Sequence, residues 1–285
     1  MADYKDRVNQ HYGCDNLGDQ LLFALQSAGK KIHQLDREAL SVFDELHIGG
    51  IVETRNLARL IPNLQSNMRV LDVGSGLGGP ARTLAAEFGC YVVGLDMTSV
   101  FCQIAEVLTE AVQLTSHVTF WEGNALEMPF EDNSFDVVWL QCSGMNIANK
   151  TELYQQCWRV TREGGYLAFQ EVMAGSSADL HFPVYWAEDD TLNFLESPER
   201  IQILLTSIGY DALAWHDTSQ QTIDWLKQGQ VAQAETNILA LHVSSLTVSN
   251  AAQKAANVIR NLEENRATVI QAVYKVLNKR DQVVK

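Results

Sequence analysis

A glycine-crowded turn after a short apolar segment constrains this chain more than any other feature. Residues 70–79 read Val-Leu-Asp-Val-Gly-Ser-Gly-Leu-Gly-Gly. The apolar run predicts a buried parallel strand, and Gly74 and Gly76 allow the backbone to turn close to a ligand. These glycines and Gly79 also have the spacing of the dinucleotide-binding pattern, which by itself is a weak signal. The turn therefore predicts an α/β fold with a nucleoside-bearing ligand at the carboxyl end of this strand.

Asp72 distinguishes between the ligands that such a turn can bind. Its carboxylate precedes Gly74 by two residues, where it would repel the pyrophosphate of a dinucleotide. A ligand with a cationic amino group and a sulfonium is instead favoured by a carboxylate. The turn therefore favours S-adenosylmethionine over NAD. The alternative role for Asp72 is to cap the following helix, which would still leave it close to the methionyl amine.

The rest of the pattern predicts strands that alternate with helices, which indicates a doubly wound, mostly parallel, Rossmann-like sheet of seven strands. The predicted parallel strands are 69–73, 90–96, 118–122, 135–140 and 166–172. The predicted helices are 16–28, 36–60, 80–88, 100–114, 153–160, 197–209, 222–241 and 251–264. A turn is predicted at 164–165, directly before the fifth parallel strand. A further strand is predicted at 210–216. Residues 267–276 are rich in β-branched side chains and fit a last antiparallel strand, although a helix fits nearly as well.

The chain shows no obvious linker, so we expect one domain. Its expected parts are an N-terminal helical cap at 1–62, a cofactor-binding core at 63–216 and a C-terminal lid with the last strand at 217–285. A formal net charge of −14 argues against a nucleic-acid or anionic-membrane partner. We expect a cytoplasmic protein, because the first residues lack the apolar segment of a signal peptide and the five cysteines lack paired spacing. No ligand spacing indicates a metal.

Polar residues follow the predicted strands at the edge where such sheets bind ligands. Asp72, Asp96, Asn124 and Gln141 stand at the ends of the first four strands. Agreement among four strand ends is much stronger evidence for a ligand site than one glycine pattern. We therefore expect all four residues at the cofactor site.

Individual roles can be assigned at two of these strand ends. Asp96 is expected to accept hydrogen bonds from both ribose hydroxyls, and the alternative is a helix N-cap. Met97 is expected against the adenine face, unless it is a core residue. Asn124 is expected to accept from the adenine amino group while the Ala125 N–H donates to a ring nitrogen. The alternative for Asn124 is an ordinary turn residue.

Together these segments resemble the motif series of class I S-adenosylmethionine-dependent methyltransferases. The shared motifs are 70–79, Asp96, 124–125, 135–139 and 159–165. Three more segments resemble the branch that contains sarcosine and dimethylglycine N-methyltransferases, namely 43–50, 145–150 and 183–188. The resemblance implies methyl transfer to a small molecule, and that branch also includes methyltransferases of natural-product pathways.

The acceptor pocket is less clearly marked. No histidine follows the fourth strand in residues 141–144, which disfavours hydroxyl methylation by a histidine base and favours an amine acceptor. Glu171 is the preferred proton acceptor, because it lies at the predicted end of the fifth strand, and the alternative is a structural carboxylate. Further acceptor-side candidates are Tyr12, His47, Met145, His181, Tyr185 and Trp186. Lys150 is a candidate partner only if the acceptor carries a carboxylate.

Several alternatives remain open from the sequence. The same chemistry allows C- or O-methylation in a natural-product pathway, with Glu171 as the base. A nicotinamide-dependent oxidoreductase could use the same fold and turn, but Asp72 disfavours it. A noncatalytic nucleoside-binding protein is disfavoured by the complete set of cofactor-side residues. The amphipathic C-terminal helices fit either a monomer or a homodimer.

Overall fold

The computed structural model describes residues 7, 8, 11, 18, 35–236, 250–277 and 279. These residues form one seven-stranded sheet in the order β3-β2-β1-β4-β5-β7-β6. Its strands are β1 (Arg69–Val73), β2 (Tyr91–Asp96), β3 (Val118–Glu122), β4 (Phe135–Gln141), β5 (Thr161–Ala174), β6 (Tyr210–Asp217) and β7 (Ala267–Val276). The first five strands are parallel, and β7 runs antiparallel to both β5 and β6.

The described helices cover the sheet and the edge where the parallel strands end. They are α1 (Arg37–Asp44), α2 (Gly50–Leu60), α3 (Gly79–Phe88), α4 (Ser99–Ala111), α5 (Lys150–Val160), α6 (Pro198–Ile208), α7 (Ser219–Thr236) and α8 (Ala251–Glu263). Apolar side chains of β1 and β4 are buried on both faces of the sheet, in two separate clusters. Such burial is typical of central parallel strands between two helix layers.

The strands predicted from the local pattern of apolar residues were confirmed. Those at 69–73 and 118–122 have the predicted bounds, and the segment 267–276, left open between strand and helix, is a strand. The helix predicted at 197–209 is also confirmed: Ser197 caps its N-terminus through a side-chain bond to the Arg200 N–H, and Gly209 ends it in a left-handed conformation.

Two predictions about local structure were wrong. The single helix predicted at 36–60 is two helices, because Gly49 and Gly50 have φ angles of 88° and 55°, which a right-handed helix cannot continue through. The turn predicted at 164–165 lies inside β5, where Gly164 has a φ of 73° and the pairing with β4 shifts register. The predicted helix at 16–28 lies outside the described residues except for Gly18.

Among the described residues, no helix is long and apolar enough to cross a bilayer. The described part of the chain also contains no cluster of three or more His, Cys, Asp or Glu side chains placed to hold a metal ion. The cysteines at 90, 102, 142 and 157 are free thiols.

Candidate functional site

A cleft of about 550 Å³ opens at the carboxyl ends of the parallel strands. One side is formed by the turns after β1, β2 and β3. A second part of the lining is formed by α1, α2 and the segment between them, with Tyr185, Trp186 and Trp225. The predicted site residues that line the cleft are His47, Asp72, Gly74, Gly76, Asp96, Met97, Asn124, Ala125, Gln141, Met145, Tyr185 and Trp186. Tyr12 lies outside the described residues.

Asp72 is, with Ser75, one of the two described cleft residues that have a buried polar atom without a hydrogen-bond partner. Its side chain is buried, and Oδ2 has no hydrogen-bond partner. The carboxylate also accepts from the Ala81 N–H in the first turn of α3, so the capping alternative holds as well. Burial, then the nearby charges of Glu45 and Asp96, raise the pKa of Asp72 to about 8, against the opposing effect of Arg82. An unpartnered carboxyl oxygen at a cleft fits a cationic ligand group.

The two glycines of the turn are needed for different reasons. Gly74 has a φ of 74°, and an added Cβ would lie 2.4 Å from Cβ of Ser143. Gly74 therefore allows packing against the loop after β4, rather than the ligand approach expected from the sequence. Gly76 has a φ of 51°, and its added Cβ would meet only Cδ1 of Leu46, at 3.6 Å. Its backbone thus faces open space in the cleft.

Asp96 holds the glycine turn in place from the end of β2. Its Oδ2 accepts from the Gly76 N–H at 2.8 Å, and its Oδ1 accepts from the Thr98 N–H at 2.8 Å. Burial raises the pKa of Asp96, while these backbone donors lower it. The Thr98 hydroxyl and the Met97 N–H donate to the carboxylate as well. The carboxylate therefore fixes the turn, and it lines the cleft.

Asn124 and Gln141 already use much of their hydrogen-bonding capacity within the protein. Oδ1 of Asn124 accepts from the Leu126 N–H at 2.9 Å, which is the turn role considered as the alternative. Oε1 of Gln141 accepts from Thr54 and Trp139, both at 3.1 Å, and its Nε2 donates to Gln170. The Gln141 side chain therefore mainly joins the sheet to α2.

Glu45 is a cleft residue that the sequence analysis missed. Its Oε2 lies 2.6 Å from Nε2 of His47, and its Oε1 accepts from Arg37 at 2.6 Å and Thr83 at 2.9 Å. Burial raises the pKa of Glu45, but the hydrogen bond and charge of His47, followed by the charge of Arg37, bring it down to about 2. Both His47 nitrogens contact protein acceptors, since Nδ1 lies 3.2 Å from the Ile48 carbonyl oxygen. This pair therefore shapes the cleft wall.

A buried ion-pair network fastens α1 to the core. Asp44 accepts from Arg37 at 2.8 Å and from Arg82 of α3 at 2.7 Å. Arg82 also donates to the Ala105 carbonyl and the Thr109 hydroxyl. Both guanidinium groups are therefore occupied within the protein. Their role is to fix the wall that α1 forms, and no sequence motif indicates the pairing of Asp44 with Arg82, which are 38 residues apart.

The two predicted aromatic residues differ in environment. Trp186 is buried in a hydrophobic cluster, and its Nε1 donates to Asn193 at 2.9 Å. Tyr185 packs at the edge of that cluster, and burial raises its pKa to about 12. Trp225 of α7 also lines the cleft and is 38% exposed. The aromatic surface available to a ligand thus comes from Tyr185 and Trp225 more than from Trp186.

Glu171 does not line the cleft. It lies inside β5, which continues to Ala174, and its Oε1 accepts from the Ser143 and Gly144 N–H groups at 3.1 and 2.9 Å. Burial raises its pKa to about 7, against the effect of these two donors. The expected placement at a strand end that faces the cleft was wrong. Glu171 instead holds the loop after β4 by hydrogen bonds from outside the cleft.

Two basic candidates are also occupied elsewhere. Nζ of Lys150 donates to the Gly144 and Phe194 carbonyl oxygens at 3.0 and 2.6 Å, and to that of Ile147. All three of its protons therefore have acceptors, which removes Lys150 as a partner for a substrate carboxylate. Nε2 of His181 lies 2.9 Å from Oε2 of Glu264, the residue that follows α8. Neither residue lines the cleft.

Comparisons with known proteins agree with this architecture. Residues 71–169 match the family described as a methyltransferase domain. The chain is 30% identical to the glycine/sarcosine/dimethylglycine N-methyltransferase of Actinopolyspora halophila, over 55% of this chain and 28% of the relative. It is 30% identical to the chloroplastic tocopherol O-methyltransferase of Arabidopsis thaliana, over 45% of this chain and 42% of the relative. It is 33% identical to the botryococcene C-methyltransferase of Botryococcus braunii, over 42% of this chain and 32% of the relative. The chain thus spans less than half of each relative.

Two solved structures share the fold. One is Haemonchus contortus phosphoethanolamine N-methyltransferase 2 with phosphomonomethylethanolamine and S-adenosylhomocysteine. Its TM-score is 0.73 at 20% identity, covering 96% of this chain and 61% of that one. The other is geranyl diphosphate C-methyltransferase from Streptomyces coelicolor. Its TM-score is 0.68 at 12% identity, and the match covers 96% of this chain and 98% of that one. At these identities the likeness establishes the fold alone.

Proposed function

We propose that this chain, whose residues 71–169 match the methyltransferase-domain family, transfers a methyl group from S-adenosylmethionine to a small-molecule acceptor. The observation that carries the proposal is the unpartnered Oδ2 of Asp72 at the cleft. A buried carboxyl oxygen without a donor is costly unless a ligand supplies one. The cationic amino group of S-adenosylmethionine would supply that donor, whereas a pyrophosphate would add negative charge beside Glu45 and Asp96.

The other cofactor-side residues fit the remaining parts of S-adenosylmethionine. Asp96 would accept from the ribose hydroxyls, and the open space at Gly76 would admit the ligand beside the backbone. Met97, Asn124 and Ala125 would surround the adenine. The cofactor supplies a methyl group on a sulfonium sulfur: the acceptor's electron pair forms the new bond to carbon, sulfur keeps the electrons of the broken bond, and the acceptor releases a proton.

The preferred acceptor atom is an amine nitrogen. No general base is evident among the described cleft residues: Glu171 lies outside, and both nitrogens of His47 contact protein acceptors. A neutral amine needs no base to create its nucleophile, so alignment and exclusion of water can supply most of the acceleration. C- and O-methylation remain the alternatives, since the relatives include both kinds of enzyme.

Calorimetric titration with S-adenosylmethionine, S-adenosylhomocysteine and NADH tests the class of function. We expect both sulfur-containing nucleosides to bind with one-to-one stoichiometry and NADH to give no specific heat. Tight NADH binding would favour the oxidoreductase alternative. Failure of all three ligands to bind a folded protein would contradict the proposed cofactor site.

A further inference from the structure

The acceptor side of the cleft is rich in exposed apolar side chains. Ten large hydrophobic residues in the described part of the chain are exposed, and four of them line this cleft, namely Val42, Leu46, Val52 and Trp225. Exposed apolar groups concentrated at one cavity mark a surface that binds an apolar partner. Tyr185 and Met145 extend this surface into the cleft. The wall therefore suits a ligand with an apolar body.

The described part of the same wall offers no cation to an anionic acceptor. Among its described lining residues there is no lysine or arginine, whereas Glu38, Glu45 and Asp44 are present beside the cofactor-side acids. The nearby guanidinium groups of Arg37 and Arg82 are engaged by Asp44 and by other protein acceptors. A carboxylate or phosphate placed here would lose water without gaining a counter-ion.

Histidine does not change this charge balance. His47 lies against the carboxylate of Glu45 at 2.6 Å, so any positive charge on its ring is already compensated. Burial lowers the pKa of His11, whose Nε2 lies 3.1 Å from the Tyr185 carbonyl oxygen. The described histidines near the wall therefore supply no uncompensated positive charge at neutral pH.

We infer that the acceptor is a hydrophobic amine without a carboxylate or phosphate group, held by the apolar wall of Leu46, Val52, Tyr185 and Trp225. This inference rests on the proposed methyl transfer and specifies its substrate class. It separates this chain from relatives whose names specify glycine, sarcosine and dimethylglycine, and from the structure that contains a phosphorylated ethanolamine. The aromatic faces of Tyr185 and Trp225 would favour the cationic product of amine methylation.

The test uses matched pairs of acceptors that differ in one acidic group. The pairs are phenethylamine with phenylalanine, tryptamine with tryptophan, and ethanolamine with phosphoethanolamine. Binding is measured calorimetrically to protein saturated with S-adenosylhomocysteine, which first verifies the cofactor site. We expect the two aromatic amines to bind at least tenfold more tightly than their amino acids, and phosphoethanolamine to bind no better than ethanolamine. Equal or tighter binding of the acidic members, or no binding of either aromatic amine, would overturn the inference.

A charge introduced into the wall provides the converse test. Val52 in α2 and Val107 in α4 are each 54% exposed on helices, but only Val52 lines the cleft. Val52→Arg should strengthen phenylalanine binding relative to phenethylamine at least fivefold, and Val107→Arg should leave that ratio unchanged. S-adenosylhomocysteine affinity should be unaltered in both variants. An unchanged ratio in Val52→Arg would contradict the placement of the acceptor against this wall.

Aromatic contact is tested in the same assay. Trp225→Ala should weaken phenethylamine binding at least threefold without changing cofactor affinity, because it removes a large apolar surface from the wall. Trp121→Ala is the control, since Trp121 is 50% exposed and lies outside the cleft. Equal effects of the two substitutions would contradict a role for Trp225 in acceptor binding. Loss of S-adenosylhomocysteine binding in the unmodified protein would instead count against the proposed function.

Discussion

The two sides of the cleft differ in how their polar groups are satisfied. On the cofactor side, Oδ2 of Asp72 and Oγ of Ser75 have no hydrogen-bond partner, and the absence of a side chain at Gly76 leaves space for a ligand. On the acceptor side, Glu45 and His47 bond to each other and to neighbouring groups, while apolar side chains are exposed. Unsatisfied polar groups select a polar ligand, and a satisfied wall with exposed apolar groups selects by shape and hydrophobic contact. The comparison indicates that one cleft uses two principles of recognition.

The largest effect is expected where the backbone itself faces the cofactor. Gly76→Val should abolish binding of S-adenosylhomocysteine, because the branched side chain occupies ligand space and disfavours a φ of 51°. Calorimetry on the folded variant measures the effect. Gly229→Val is the control, since a Cβ at Gly229 meets no atom within 4 Å and the residue lies outside the cleft. Retained methyl transfer by Gly76→Val would refute the assignment of this turn.

A smaller loss is expected at the end of β2. Asp96→Ala should weaken S-adenosylhomocysteine binding by about 1.5–3 kcal/mol, because charge-assisted hydrogen bonds to the ligand are lost. Loss of the acceptor for the Gly76 N–H should add to this effect. Asp211→Ala, at an exposed position of β6, controls for removal of a negative charge. Wild-type affinity in a folded Asp96→Ala protein would rule out the ribose assignment.

The smallest effect on turnover is expected behind the cleft. Glu171→Gln keeps an oxygen that can accept from the Ser143 and Gly144 N–H groups, so turnover should stay within about twofold of wild type. A general base would instead be worth roughly 10²–10⁴-fold. Glu171→Ala removes the acceptor and should lower turnover further, by loosening the loop. Steady-state kinetics distinguish the two roles, and a hundredfold loss in Glu171→Gln would restore Glu171 as a base.

Stability against pH provides a second readout for Glu171. Its pKa in the folded protein is about 7, above the ordinary value of 4.5, so the folded state binds this proton more tightly than the unfolded state. The contribution to stability is therefore fully present below about pH 4.5 and is lost as the pH rises towards 7. Glu171→Gln should flatten this part of the profile in chemical denaturation experiments. An unchanged slope between pH 4.5 and 7 would contradict the raised pKa.

Sequence alone predicted which strand-end residues line the cleft, because the signals for their positions are local. The apolar run, the acid at its end and the following glycines all belong to one strand and turn. The acceptor side depends on contacts between distant segments, such as the bond from Thr54 to Gln141. No spacing of residue types along the sequence predicts such contacts.

Glu171 illustrates the same limit within a single strand. Neighbouring side chains of a strand point to opposite faces. Gln170 therefore faces Gln141, and Glu171 faces the loop after β4. Whether Glu171 stands at the end of β5 depends on how far this strand continues, and pairing with β7 extends the strand to Ala174. Local pattern placed the strand correctly but could not fix its end.

The most direct test of the account concerns the selection of a cationic cofactor by Asp72. Binding of S-adenosylhomocysteine is compared with that of its analogue without the α-amino group, on the wild-type protein and on Asp72→Asn. The wild type should prefer the amino compound at least tenfold at pH 8, and less strongly at lower pH, where Asp72, with a pKa of about 8, is protonated before binding. Asp72→Asn should bind both compounds about equally. A preference that survives in Asp72→Asn would contradict the central claim that the unpartnered Oδ2 of this carboxylate binds the amine.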